Sequence, residues 1–148
     1  MVKGALNSEV DRDQHLLFGP RVLVVDLSTF HPNPVQIFRL WQIYTENVNI
    51  LLKVTHTPSL QPRVIEAASD LTSVDATLEA LMFGIYSTAV LSLTEENCQI
   101  IFGSSKEDLL SRYQSGCQQA LWKCGFLRTS DRDCLTALFL YLVSSAGG

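Results

Sequence analysis

The stretch HPNPVQIFRLWQIYTENVNILLKVTHTPSL, residues 31–60, decides the fold class. Each residue before a proline is pushed out of the α region, so the prolines at its start mark a boundary. Asn33 can then cap a helix whose first residue is Pro34, where a missing N–H has no helical partner to lose. Asn47 and Asn49 favour turns and should loosen this helix. Apolar residues recur at the spacing of one helical face, at Ile37, Phe38, Trp41, Tyr44, Val48 and Leu51 or Leu52.

Two more helices are predicted directly downstream. A shorter one is expected at about 59–69, with Pro62 tolerated only in its first turn. The next should begin at Ser73 or Asp75 and end near Leu93. Its apolar residues cover nearly the whole circumference, which predicts a helix at the centre of a bundle.

The remaining helices are marked by caps. Thr94 should cap a short helix that Gly103 ends in the left-handed C′ position. The Ser-Ser-Lys-Glu sequence at 104–107 reads as a capping box and opens a helix that ends at Gly125. A final helix should be capped at 130–133 and run through the apolar residues Leu135, Leu138, Phe139, Leu142 and Val143. The pattern predicts an all-α fold, an irregular bundle of about six helices.

Length and composition limit the number and the kind of domains that the chain can form. Its 148 residues, 47% of them hydrophobic, indicate one domain or part of one. Residues 1–25 are expected to form a mobile leader before a domain at 26–146, with the strand-like VLVVDL run at 22–27 as an extended segment packed on the helices. The start of the chain lacks a secretory signal, which favours a cytosolic or nuclear protein with reduced thiols. The apolar run at about 76–93 contains Glu79 and is better explained as a core helix than as a membrane span.

The sequence contains no recognisable nucleic-acid site. The net charge is −4, and the Lys and Arg residues are scattered rather than clustered. DNA binding usually needs a concentrated basic patch that neutralises phosphates. This segment alone is therefore expected to bind DNA poorly.

The cysteines are not arranged as a zinc site. Cys117 and Cys124 have six residues between them, a spacing that occurs in binuclear zinc clusters, but there is no Cys-x-x-Cys pair beside them. On one helix they would lie about 10 Å apart along the axis, too far to share an ion. Cys117, Cys124, Cys98 and Cys134 are all interpreted as structural residues.

No catalytic site is predicted either. His15, His31 and His56 are far apart in sequence and are interpreted as solvated or turn-stabilising residues. The carboxylate pairs Glu95–Glu96, Glu107–Asp108 and Asp131/Asp133 fall in first helical turns, where the helix dipole favours them. Phe38, Trp41 and Tyr44 could form a stacking surface, but their spacing is that of an ordinary core stripe. The sequence thus predicts no catalytic, cofactor-binding or metal-binding residues.

Several long runs resemble a known family. They are HPNPVQIFRLWQIY (31–44), ENVN (46–49), LKVTHTPSL (52–60), TLEALMF (77–83), AVLSLT (89–94), FGSSKEDLL with RY (102–113), QQAL (118–121) and CGFLR (124–128). Together they resemble the fungal-specific transcription factor domain, or middle homology region, of binuclear zinc-cluster transcription factors, from about residue 26 to residue 143. The resemblance implies a non-catalytic helical domain that regulates RNA polymerase II transcription in the nucleus. Its expected contacts are protein partners or other parts of the same protein, without a cofactor of its own or a membrane.

This sequence departs from the family pattern in ways that leave alternatives open. The six-cysteine cluster that holds zinc and binds DNA in the family is absent from these residues, and the family domain normally continues past residue 143. Ile50 replaces a frequent proline. These departures suggest a truncated product or fragment that reaches DNA only through a missing cluster. One alternative is a free-standing helical protein that modulates a full-length relative, since the last helix would leave Leu138, Phe139, Leu142 or Val143 uncovered. Another is a bundle that binds a small effector.

Overall fold

The computed structural model describes residues 27–125 and 131–147. All regular structure in these residues is helical, so the all-α prediction is confirmed. The helices are α1 (Pro34–Ile43), α2 (Asn49–Leu52), α3 (Thr57–Ser69), α4 (Ala76–Leu91), α5 (Glu95–Phe102), α6 (Lys106–Cys124) and α7 (Arg132–Gly147). Short 3₁₀ turns lie at Leu27–Thr29 and Leu71–Ser73. The leader predicted at 1–25 and most of the segment at 22–27 lie outside the described residues.

The helix predicted from Pro34 is present and is interrupted near the two asparagines. The Asn33 carboxamide oxygen accepts a hydrogen bond from the Gln36 N–H at 2.9 Å, which is the expected cap. A π-helical turn, Tyr44–Val48, joins α1 to α2 without a break. If these three segments count as one interrupted helix, the described chain has the six predicted helices. Asn49 then fixes the following turn, because its side chain exchanges hydrogen bonds with the backbone of Thr55 at 3.1 and 3.2 Å.

The prediction for α3 was wrong at its start. The helix begins at Thr57 rather than near residue 59, so Pro62 lies in its interior and not in its first turn. Proline there removes one backbone hydrogen bond and crowds the preceding turn, at a cost of roughly 3 kcal/mol. Burial of Leu60 and Val64 offsets this penalty.

Helix α4 is the centre of the bundle, as its apolar circumference predicted. Every residue from Leu78 to Val90 is buried. The helix packs chiefly against α6 and α7, and also against α1. Asp75 caps it by accepting a hydrogen bond from the Thr77 N–H at 3.2 Å.

The residues that cap α5 and α6 are those that the sequence predicts, with one exception. Thr94 caps α5, and Gly103 and Gly125 end α5 and α6 with φ of 69° and 63°. The cap of α6, however, is Ser105 and not Ser104. The Ser105 hydroxyl accepts a hydrogen bond from the Asp108 N–H at 3.1 Å, which moves the predicted capping box by one residue.

Helix α7 is present as predicted, and its apolar residues divide between a buried and an exposed face. Its buried residues are Cys134, Ala137, Leu140, Tyr141 and Ser144. Leu135, Phe139 and Leu142 are between 43% and 48% exposed, whereas Leu138 and Val143 are half-buried. The inner face passes close to Gly84 of α4, where an added Cβ would lie 3.1 Å from the Leu140 Cβ. The expectation that Phe139 and Leu142 would be uncovered is met within the described chain.

Candidate functional site

A buried polar network lies between the start of the described chain and α4. The imidazole of His31 hydrogen-bonds through Nδ1 to the Tyr86 hydroxyl at 2.8 Å and through Nε2 to the Glu79 carboxylate at 3.0 Å. Glu79 and Tyr86 are seven residues apart on α4, about two helical turns, so both face the same side. Of the two roles predicted for His31, solvated or turn-stabilising, the first was wrong, because only 6% of the residue is exposed.

The surroundings of this network favour the neutral form of Tyr86 and an ion pair between Glu79 and Lys123. Burial raises the pKa of Tyr86 well above its ordinary value, and Tyr113 and Glu79 raise it further. The second Glu79 oxygen lies 3.8 Å from the Lys123 ammonium group. The Phe83 ring covers the imidazole of His31, with ring centroids 4.3 Å apart.

The order hydroxyl, imidazole, carboxylate resembles that of a catalytic triad, but the environment does not support catalysis. His31, Glu79 and Tyr86 are only 6%, 3% and 1% exposed, so a substrate has no access to them. A buried network whose members are all hydrogen-bonded instead fixes a unique packing. We conclude that it ties the segment before α1 to the central helix.

Arg112 of α6 holds the same segment from the other side. Its guanidinium group donates hydrogen bonds to the backbone carbonyls of Thr29, Phe30 and His31 at 3.1, 3.0 and 3.3 Å. The Arg112 guanidinium group thus binds three consecutive backbone carbonyls. Sequence reasoning missed this role, because nothing local to Arg112 indicates a partner some 80 residues away.

Three of the four cysteines are buried in the hydrophobic core, and the half-buried Cys124 packs against it. Cys98 and Cys117 are fully buried, and burial raises the pKa of both thiols. Among the described residues, no group of three His, Cys, Asp or Glu side chains is placed to hold a metal ion. The structure also brings together a pair that the sequence analysis did not: the Sγ atoms of Cys124 and Cys134 lie 2.9 Å apart.

Two exposed apolar surfaces are the candidate interaction sites. The first, the α1–α5 groove, has a volume of about 390 Å³ and is lined by apolar residues of both helices with Arg39 and Gln42 at its edge. Its apolar residues are Val35, Phe38, Ile101 and Phe102. Phe38 is 42% exposed, so its predicted place in the core was wrong, whereas Trp41 and Tyr44 are buried as predicted.

The second surface, the α7 stripe, consists of Leu135, Phe139 and Leu142. These residues follow the i, i+4, i+7 spacing of one helical face, and each is at least 43% exposed. Leu135 and Phe139 also line a shallow depression with Val54 and Arg132. Contiguous exposed apolar patches often mark places where proteins associate.

The predicted carboxylate clusters lie where the helix dipole favours them. Glu95 and Glu96 occupy the first turn of α5, and Glu107 and Asp108 that of α6. Glu95 also accepts a hydrogen bond from the Lys106 N–H at 3.0 Å, which links the start of α5 to the start of α6. Glu95 therefore has a structural partner as well as a favourable place at a helix start. No helix in the described part of the chain is long and apolar enough to cross a membrane.

Known proteins similar to this chain are transcription regulators. It is 61% identical over 132 residues to "Transcriptional regulator AacuB" of Aspergillus aculeatus, which covers 89% of the chain and 18% of that protein. It is 57% identical over 129 residues to "Transcriptional regulator nsrM" of Aspergillus novofumigatus, covering 87% of the chain and 18% of the relative. The chain is homologous to fungal transcription regulators.

More distant homologues carry more specific names. The "C6 finger domain transcription factor adaR" of Aspergillus niger is 32% identical over 127 residues, covering 84% of the chain and 16% of the relative. The chain therefore spans about a fifth of the length of the curated relatives it matches. No protein-family model matches the chain. No solved structure matches it significantly.

Proposed function

We propose that this chain is a non-catalytic regulatory and interaction segment of a fungal zinc-cluster transcription factor, acting on RNA polymerase II transcription in the nucleus. The observation that carries the proposal is the 61% identity to a transcriptional regulator over 132 residues. The segment acts through contacts with partner proteins or with other parts of the same factor. It is neither the part that binds DNA nor a catalytic unit.

The geometry supports interaction rather than catalysis. The best-organised polar group, the His31–Glu79–Tyr86 network, is closed to substrates, whereas the α1–α5 groove and the α7 stripe expose apolar side chains to solvent. Apolar surface that leaves water on association is the main driving force for protein contacts. The two surfaces are therefore the regions through which the segment exerts its effect.

The arrangement of the cations supports a separate DNA-binding region. Arg63 pairs with Asp133 at 2.7 Å, Arg112 is occupied by backbone carbonyls, and Lys123 lies near Glu79. These three cations are engaged within the protein, and the net charge of the chain is −4, which does not favour binding to phosphates. In the proposed factor, DNA contacts belong to a zinc cluster outside this chain.

A reporter assay tests the regulatory role. The full chain is fused between a heterologous DNA-binding domain and an activation domain in a filamentous fungus, and reporter output is compared with that of the same fusion without the chain. We expect output to change at least several-fold. Replacing Phe139 and Leu142 by serine should remove much of this change, because it removes the exposed apolar contact.

A matched control separates a surface effect from unfolding. Ile100 of α5 is 72% exposed but belongs to neither surface as defined above, so Ile100→Ser should leave the regulation intact. Equal output with and without the chain, at equal protein levels, would refute the proposed function.

The exposed α7 stripe favours one second candidate, a free-standing protein that modulates a full-length relative by occupying its partner surface. Expression of the full chain in trans should then change the activity of that relative. Sedimentation of the purified chain as a well-behaved monomer that does not bind the relative would count against this alternative.

A further inference from the structure

Two thiols meet at the junction of α6 and α7. Cys124 is the last residue of α6 and is half-buried, whereas Cys134 is the third residue of α7 and is buried. Their sulfur atoms lie 2.9 Å apart, closer than sulfurs that merely pack. Both cysteines are free in this structure.

Local structure on each side fixes this approach. Gly125 ends α6 in the left-handed conformation, with φ of 63°, and so turns the chain directly after Cys124. The Asp131 carboxylate accepts hydrogen bonds from the backbone N–H groups of Asp133 and Cys134 at 2.8 and 3.2 Å, which sets the start of α7. Two capped helix ends therefore present the thiols to each other.

We propose that Cys124 and Cys134 form a modification site, at which hydrogen peroxide oxidises the two thiols to an intramolecular disulfide. The Cys124 thiolate, which is nearer to solvent, attacks a peroxide oxygen and breaks the O–O bond, giving a sulfenic acid and water. The Cys134 sulfur then attacks the Cys124 sulfur, the S–S bond forms, and a second water leaves. The two sulfurs together give up two electrons to hydrogen peroxide, and their two protons enter the two waters.

The surroundings of the pair make this reaction slow at neutral pH. Burial, together with the Cys134 thiol, raises the pKa of Cys124 to about 12, and burial also raises the pKa of Cys134. Asp131 adds to both shifts, because its negative charge opposes a second one nearby. Since the thiolate is the nucleophile, the rate rises about tenfold per pH unit below the pKa. The pair therefore responds to sustained rather than brief oxidation.

The bond would fix one candidate interaction surface relative to the core. It joins the end of α6 to the first turn of α7, and α7 carries the stripe of Leu135, Phe139 and Leu142. Closing this loop restricts the unfolded chain, so the oxidised protein should melt several degrees higher than the reduced protein. This inference does not depend on the proposed regulatory function.

Peptide mapping tests the proposal on the full chain. The protein is treated with hydrogen peroxide at pH 7 and pH 8, alkylated in denaturant, digested with trypsin and analysed by mass spectrometry. Trypsin cuts after Lys123, Arg128 and Arg132, so Cys124 and Cys134 fall in separate peptides that only a disulfide can join. We expect the joined pair to form, roughly tenfold faster at pH 8 than at pH 7.

Three variants sharpen the result. Cys124→Ser should abolish the joined pair, whereas Cys98→Ser removes a buried thiol of α5 and should leave it unchanged. In Cys134→Ser, a sulfenic acid at Cys124 should be trapped by dimedone. Oxidation of Cys124 to sulfinic acid without linkage in the wild-type chain, or disulfides only between chains, would overturn the proposal even if a variant failed to fold.

Discussion

Gly116 gives the sharpest test of how tightly the centre of the bundle is packed. It lies on α6 where that helix crosses α4, and a Cβ added to it would lie 2.5, 2.7 and 2.8 Å from three atoms of the Phe83 ring. No ordinary contact is that short, so Gly116→Ala requires the ring to move. Phe83 is fully buried, and its ring is held between His31 at 4.3 Å and Tyr86 at 5.5 Å.

The expected change in the free energy of unfolding is the difference between two opposing effects. Alanine stabilises a helix interior by about 1 kcal/mol relative to glycine. Overpacking a core by one methyl group costs about 1–3 kcal/mol, and the upper part of that range applies because the Phe83 ring has neighbours on both sides. Gly116→Ala should therefore lower the free energy of unfolding by about 1–2 kcal/mol. For a chain of this size, that lowers the Tm by roughly 3–8 °C.

Urea denaturation followed by circular dichroism measures this change. Ser111→Ala is the matched control, because Ser111 is exposed on the same helix and should show only the small gain in helix propensity. In a Phe83→Leu background the clash is relieved, so adding Gly116→Ala should cost less than it does in the wild type. If Gly116→Ala proves as stable as the wild type or more stable, with an unchanged m-value, the packing argument is refuted.

Three further predictions test the network, a corrected cap and a buried tyrosine. His31→Phe keeps a ring but removes both hydrogen bonds, which leaves the Glu79 carboxylate buried without its nearest partner. The free energy of unfolding should therefore fall by about 3–5 kcal/mol. A loss below about 1 kcal/mol would contradict this role. Ser105→Ala should cost about 1 kcal/mol and Ser104→Ala much less, and equal losses in thermal melts would contradict the assigned cap. Burial raises the pKa of Tyr113 to about 12, so the unfolded chain ionises first. The stability that Tyr113 contributes is then intact below pH 10 and falls by about 1.4 kcal/mol per pH unit from pH 10 to 12, in addition to the losses from the other buried tyrosines and thiols whose pKa is raised. Urea titrations of Tyr113→Phe should therefore show a slope that is smaller by about that amount.

The parts of the fold that the sequence predicted well are local. Asn33, Thr94, Gly103 and Gly125 act on backbone groups within a few residues of themselves, so helix starts and stops can be inferred without tertiary structure. The one-residue shift at α6 instead depends on a contact with the neighbouring helix. Either Ser104 or Ser105 can cap a helix, and the contact of Glu95 with the Lys106 N–H favours the second.

The polar contacts that organise the core could not be found in the same way. His31 meets Glu79 and Tyr86 across 48 and 55 residues of chain, and nothing near His31 in the sequence indicates those partners. The thiol pair is closer in sequence, yet its members lie on different helices, so spacing along one helix says nothing about their distance. In both cases the packing of helices, and not the local pattern, decides which groups meet.

Helix α7 shows why an apolar pattern alone does not identify the buried face. Both of its faces are apolar, so the pattern does not say which of them turns inward. The buried residues Cys134, Ala137 and Ser144 are small, but Leu140 and Tyr141 on the same face are as large as the exposed Leu135, Phe139 and Leu142. The helix also passes close to α4 at Gly84, where an added Cβ would lie 3.1 Å from the Leu140 Cβ. Helix α7 is already packed on the core through its inner face, so its apolar outer face has no role in the described core. For this reason we assign the α7 stripe to association with another protein surface.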